Sequence, residues 1–236
     1  MDEFARTRML LGAEGMERLS RSRVAVFGLG GVGSWAMEAL VRSGVGALDL
    51  IDGDRVSPTN INRQLIALHS TLGMPKTEAA ALRAADINPA VKLRCFDVYY
   101  SEKNADGFDL AGYDYIVDAI DMVSAKLELV CRAQALGVPI ISSLGTGNKL
   151  DPSRLRISDL SETSVCPLAR VMRKELRRRG VEHLKVLWSD EEPAEARECG
   201  ETRGRDERPV PGSVAFVPPA AGLMIAGEVV RYLACV

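Results

Sequence analysis

The stretch "VAVFGLGGVGSWAMEAL", residues 24–40, decides the fold. An unbroken apolar run enters a cluster of glycines, Gly28, Gly30, Gly31 and Gly33, and leaves it as an amphipathic segment. A buried strand over 24–30, a tight turn and a helix from about Gly33 to Ser43 account for that order. Glycines at such a turn let backbone N–H groups approach phosphate oxygens, and the helix N-terminus adds a favourable dipole. The next apolar run, "ALDLID" (47–52), reads as a second strand and ends on Asp52, nineteen residues past Gly33. An acid at that position accepts hydrogen bonds from ribose hydroxyls. No lysine follows the glycines, which excludes a Walker A loop, and the pattern describes a nucleotide with a free ribose, either NAD or ATP.

Outward from that stretch the chain alternates. A helix is expected over 4–20, a helix from Lys76 to about Asn88, strands over 92–98 and 113–121, a helix over 124–137 and a strand over 138–145. This alternation predicts an α/β, Rossmann-like fold, with a mostly parallel sheet covered by helices on both faces. After Gly147 the pattern gives a strand, a connection, a basic helix and another strand. The segment 191–212 has few apolar residues and reads as a flexible loop, and "SVAFVPPAAGLMIAGEVVRYL" then reads as a strand and a closing helix. We expect one domain over 1–236, with a nucleotide-binding part over 1–148 and a C-terminal extension over 149–236.

The 236 residues suffice to bury roughly 70–75% of the unfolded surface. A formal net charge of −2 excludes a global field that attracts nucleic acid, so any basic surface is local. One such surface exists in "RVMRKELRRR" (170–179), with six cations against one Glu. Five widely spaced cysteines without a C-x-x-C pair support neither a zinc site nor a disulfide framework. With no secretory pattern and no apolar stretch long enough to span a bilayer, the expected location is cytoplasmic, away from any membrane.

Function must lie downstream of the glycines. The polar, turn-rich segment 53–76 is too long for an ordinary connection, and its "NINRQ" (60–64) together with Lys76 supplies cations beyond the second strand. A helix N-terminus stabilises an anion by only about 0.3–1 kcal/mol, too little for a triphosphate whose pyrophosphate departs, so these cations point to ATP rather than to NAD. At the end of another predicted strand, "VDAID" carries Asp118 and Asp121. A carboxylate there suits Mg2+ held against phosphate oxygens, and Asp121, farther beyond the strand, is the choice for the metal; a cap on the following helix is the competing role.

These motifs in this order, "GLGGVGS", "LIDGDRVSPTNINRQ", "GMPK" and "DAID", resemble the adenylation domain of the ubiquitin-activating-enzyme superfamily over residues 4–148. The resemblance implies that Asp52 binds the ribose and that Asn60, Arg63, Gln64 and Lys76 surround the phosphates. Asp54 and Asn62 join that nucleotide-binding set, and Asp121 holds Mg2+. Arg8, in "TRMLLG", matches an arginine that in homodimers of this kind reaches the neighbouring subunit's ATP. Arg8, Arg63, Lys76 and Asp121 are thus the expected catalytic residues. A carboxylate substrate, with a pKa of about 3.3–3.7, is already an anion at neutral pH and needs no general base, in keeping with only two histidines, His69 and His183.

The C-terminal half resembles a narrower branch, the tRNA threonylcarbamoyladenosine dehydratases, through "GTGNKLDPSRLRISDLSETSVCPLARVMRKELRRRG" and "GSVAFVPPAAGLMIAGEVV". That resemblance implies ATP-dependent cyclisation of the modified adenosine in tRNA, with release of AMP and pyrophosphate. Arg170, Arg173, Lys174, Arg177 and Arg178 would then contact tRNA phosphates. A homodimer, a monovalent cation and a sulfur-transfer protein partner are further expectations, and zinc is not. Two competing functions remain at this stage: activation of the C-terminus of a sulfur-carrier protein, with Cys166 as acyl acceptor, and a non-catalytic nucleotide-binding scaffold.

Overall fold

The computed structural model describes residues 2–195, 202–203, 208–209 and 211–236. Its centre is a seven-stranded sheet in the order β3-β2-β1-β4-β5-β7-β6. β1 (Arg23–Phe27) pairs in parallel with β2 (Ala47–Ile51) on one side and β4 (Tyr115–Asp118) on the other. β3 (Lys92–Phe96) continues the parallel sheet beyond β2, and β5 (Ile140–Ser143) and β7 (Lys185–Ser189) continue it beyond β4. β6 (Leu155–Asp159) closes the far edge as the one antiparallel strand of this sheet. Every residue of β4 and β5, and all but the first of β1 and β2, is buried, as expected for parallel strands covered on both faces.

Two apolar layers flank the sheet. On one face α1 (Ala5–Arg21), α2 (Gly33–Arg42), α3 (Lys76–Ile87) and α6 (Val217–Ala234) pack through Leu19, Met37, Leu40, Ile225 and Val229, all fully buried. On the other, α4 (Val123–Leu136) and α5 (Pro167–Arg178) pack through Leu129, Val130, Ala169, Met172 and Leu176. In α5 the buried residues recur at helical spacing, which leaves its cations on the outer face.

The predicted elements agree with the structure to within a few residues at each boundary, except in the C-terminal extension. There the strand expected after Gly212 does not form: 213–216 is irregular, and α6 begins directly at Val217 with Pro218 and Pro219 in its first turn. Prolines favour that first turn and cannot donate to a sheet ladder, so the short apolar run is drawn into the helix entry. Half of the loop expected over 191–212 (196–201, 204–207 and 210) lies outside the described residues. Within its described parts β8 (Thr202–Arg203) and β9 (Arg208–Pro209) pair antiparallel, and the Glu191 carboxylate accepts N–H bonds from Leu150 and Asp151. Among the described residues no helix is long and apolar enough to cross a membrane.

Candidate active site

The sheet order reverses between β1 and β4, and open α/β sheets bind ligands in the crevice outside the carboxyl ends of the strands at such a switch point. The glycine turn leaves β1 there. Gly28 has φ of +89°, and a Cβ on it would lie 2.6 Å from the Ala119 carbonyl oxygen; a Cβ on Gly33 would lie 1.8 Å from the Gly28 carbonyl oxygen. These two glycines are demanded by the turn itself. Gly30 is different, since the nearest atom to its hypothetical Cβ is Gln64 Nε2 at 4.0 Å. Gly31 lies under the Arg63 side chain, whose Cγ is 3.3 Å from the same construction. No side chain caps the first turn of α2, so its N-terminus keeps donors for an anion.

Asp52, just past β2, turns back to this loop. Its Oδ2 accepts the Leu29 N–H at 2.7 Å and its Oδ1 the Asp54 N–H at 2.8 Å. Burial pushes its carboxyl above the usual range, against the pull of Lys76 and these two N–H groups. Lys76 opens α3 with its side chain only 5% exposed, and its Nζ stands 2.7 Å from Asp54 Oδ2 and 3.8 Å from Asp52 Oδ2. Asp54 also accepts the Tyr99 hydroxyl, a bond that raises the phenol to about 12.

The segment between β2 and α3 is built against the glycine turn. Ser34 Oγ donates to the Gly30 carbonyl at 2.7 Å and accepts the Leu65 N–H at 3.2 Å, and the Trp35 indole donates to the Arg63 carbonyl at 3.1 Å. Arg63 Nη1 donates to Thr59 O and Asn62 Oδ1, while Asn62 Nδ2 donates to Ser213 O at 2.9 Å. Both ends of the Asn62 amide are therefore engaged within the protein. Asn60 Oδ1 accepts the Ser57 N–H at 3.2 Å and closes a short 3-10 turn. Gln64 is buried beside Gly30, and its Oε1 is an acceptor with no hydrogen-bond partner among the described residues.

Of the two carboxylates at the end of β4 and beyond it, Asp118 is fully buried, with its Oδ2 2.8 Å from Lys126 Nζ, and is committed to the core. Asp121 is exposed on the following loop, beside the glycine turn. The N-cap residue of α4 is Met122, whose side chain makes no cap, and Asp118 is bonded to Lys126, Ser142 and the Ile120 N–H rather than to that helix's first turn.

The expected residues thus separate into groups. Gly28, Gly30, Gly31, Gly33, Asp52, Asp54, Arg63, Gln64, Lys76 and the loop of Asp121 meet at one crevice. Arg8 lies on α1, paired with Asp2 at 2.8 Å, and among the described residues no bond links it to the glycine turn. Arg170, Arg173, Lys174, Arg177 and Arg178 line an open groove of about 470 Å³ on α5. There Arg173 donates to Thr163 and Arg178 pairs with Glu175. His183 is at the surface near Asp159. Cys166 is buried as the N-cap residue of α5, only 6% exposed. Sequence reasoning missed Ser34, Trp35, Tyr99, Lys126, Ser142 and Ser213; Ser34 ends the motif "GLGGVGS", but the tertiary partner of a side chain has no local signal.

Comparison with known proteins agrees with this geometry. The sequence profile of the ThiF family matches residues 4–235. The chain is 43% identical to the tRNA threonylcarbamoyladenosine dehydratase of Bacillus subtilis, covering 99% of this chain and 95% of the relative. It is 37% identical to the Escherichia coli protein of the same name, over 74% of this chain and 65% of the relative. The crystal structure of E. coli tRNA N6-threonylcarbamoyladenosine dehydratase in complex with AMP superposes with a TM-score of 0.89 at 30% identity, covering 99% of this chain and 94% of that one. The same enzyme in complex with ATP gives 0.88. The chain belongs to the ThiF family and, within it, to the tRNA threonylcarbamoyladenosine dehydratases.

Proposed function

We propose that the chain uses ATP to activate and cyclise the threonylcarbamoyl side chain of the modified adenosine in tRNA. The carboxylate oxygen attacks the α-phosphorus and pyrophosphate leaves. A nucleophile of the same side chain then attacks the activated carbonyl and releases its proton to solvent, and AMP leaves with the former carboxylate oxygen. The tRNA has lost one water, and no acyl group passes to the protein. The observation that carries this reading is the convergence of the glycine turn, Asp52, Lys76, Arg63 and Gln64 at the switch point, a set suited to a triphosphate. The buried Cys166 argues against a thioester relay to a carrier protein.

In this reading Asp52 is held by two N–H groups with its remaining lone pairs toward the ribose, and Lys76 and Arg63 neutralise charge as pyrophosphate departs. Lys76 pairs with Asp54 until phosphate replaces that carboxylate. Asp121 is the carboxylate that holds Mg2+. The donor set fits, because Mg2+ is commonly held by one or two carboxylates plus substrate phosphates and its own waters, and the competing Asp118 is taken by Lys126. When bound, the ion screens the phosphate charge. Arg8 acts from the twofold-related copy in a homodimer, and the α5 cations hold tRNA phosphates. The unit is the whole chain, 1–236, working in the cytoplasm.

The test is nucleoside mass spectrometry of threonylcarbamoyl-modified tRNA incubated with the protein, ATP and Mg2+. Loss of one water from the modified adenosine, dependent on ATP and matched by AMP, is expected. ATP binding without a change in the tRNA would refute the reading.

A further inference from the structure

Beneath the crevice three polar side chains with no part in the proposed reaction meet in the core. Asp118 ends β4, Ser142 lies in β5 and Lys126 in α4, and all three are buried. Lys126 Nζ donates to Asp118 Oδ2 at 2.8 Å and to Ser142 Oγ at 3.1 Å, and Ser142 Oγ donates to the same Asp118 oxygen at 2.5 Å. Burial pulls the Lys126 ammonium below its ordinary range, with Asp118 opposing that pull. A buried ion pair contributes little net stability, because desolvating two charges offsets most of their attraction.

Its geometric effect is larger. Asp118 Oδ1 accepts the Ile120 N–H at 3.2 Å, the Lys126 N–H donates to Met122 O at 3.0 Å, and the Ala119 N–H donates to Phe27 O at 2.8 Å. The loop 119–122 is therefore held at its start by β1, at its middle by the Asp118 carboxylate that Lys126 pairs with, and at its end by the first backbone bond of α4. The Ala119 carbonyl of this loop is the group that approaches Gly28 closely enough to exclude a Cβ there. One loop thus walls the glycine turn and carries Asp121.

We propose that Lys126 is a positioning residue, whose clamp on Asp118 and Ser142 fixes loop 119–122 against the glycine turn and so presents Asp121 to the nucleotide phosphates. This rests on the reading of Asp121 as the Mg2+ carboxylate. Lys126→Met alone strands a buried carboxylate and risks the fold, so the decisive protein is Lys126→Met/Asp118→Asn, which removes both charges together.

Two readouts apply to the folded double variant. Amide hydrogen exchange without nucleotide or metal is expected to speed up over 119–122 and to stay unchanged in β1 and β5. The gain in ATP affinity on replacing EDTA with Mg2+ is expected to fall about ten- to a hundredfold, with Lys126→Arg retaining most of it. Wild-type exchange over 119–122, or a wild-type Mg2+ gain, in the double variant overturns the proposal. Asp121→Asn separates the two ideas. If it loses the gain while the double variant keeps it, only the positioning role falls; if it keeps the gain, the metal reading falls and takes the positioning role with it.

Discussion

Three glycines of one turn respond differently to the same added methyl group. At Gly28 alanine must adopt φ of +89° and place its Cβ 2.6 Å from the Ala119 carbonyl oxygen. The left-handed conformation costs roughly 1–2 kcal/mol and overpacking ~1–3 kcal/mol, a sum of about 2–5 kcal/mol. At about 2–4 °C per kcal/mol for a chain of this size, Gly28→Ala lowers Tm by about 4–20 °C. Gly33→Ala fares no better, since its Cβ overlaps the Gly28 carbonyl at 1.8 Å. Gly30→Ala meets nothing closer than 4.0 Å and keeps its stability to within about 0.5 kcal/mol. Its methyl group stands in the crevice, however, where phosphate must approach the backbone, and ATP affinity is expected to drop at least ~10-fold, about 1.4 kcal/mol. Thermal denaturation and equilibrium binding of ATP on the three variants decide it. A Gly30→Ala protein that melts as early as Gly28→Ala, or one that binds ATP normally, refutes the division of labour assigned to the turn.

Four further outcomes are expected. Replacing Arg170, Lys174 and Arg177 by Gln leaves ATP binding intact and weakens tRNA binding, with the slope of log affinity against log salt falling by roughly 0.7–0.9 per cation removed; an unchanged slope removes α5 from the tRNA surface. Cys166→Ser retains cyclisation activity and loses about 1–2 kcal/mol of stability, as a hydroxyl replaces a buried thiol; a folded but inactive protein with normal adenylate formation restores the thioester relay. Arg8→Ala and Asp121→Ala are each inactive but recover activity when mixed, if each site draws on two chains; no recovery in verified mixed dimers speaks against sharing. Burial pushes Glu38 up, yet hydrogen bonds from Arg83 and Arg42 outweigh it and hold the carboxyl below its ordinary 4.5. That contribution is complete above pH 4.5 and lost as pH falls through the depressed value. Glu38→Gln is therefore expected to flatten the fall of Tm with acid below pH 4.5, and an unchanged profile counts against the pair.

The fold was legible where local pattern and burial coincide. The strand, glycine turn and helix around 24–40, the placing of Asp52 and the start of α3 at Lys76 all follow from periodicity and spacing. Tertiary pairing was not legible. Position beyond the strand already favours Asp121 over Asp118 for the metal, but what holds Asp118 in the core, the buried ammonium of Lys126 eight residues on, has no signal in the sequence. Asn62 is bound to a carbonyl 151 residues away, a contact that no window of sequence contains. The strand expected over 213–216 failed because the run is short and is followed at once by prolines that start α6.

The hydroxyl of Ser34 joins the Gly30 carbonyl to the Leu65 N–H, and Trp35 joins the same helix to Arg63. Phosphate turn and cationic segment are thereby parts of one cooperative unit with the core of α2, and the entropy of ordering them is lost during folding rather than on binding. Nucleotide capture then needs no local freezing of these loops. On heating, catalytic competence should persist up to the global transition and vanish with it, without an earlier stage in which the protein is folded but its nucleotide site has already melted.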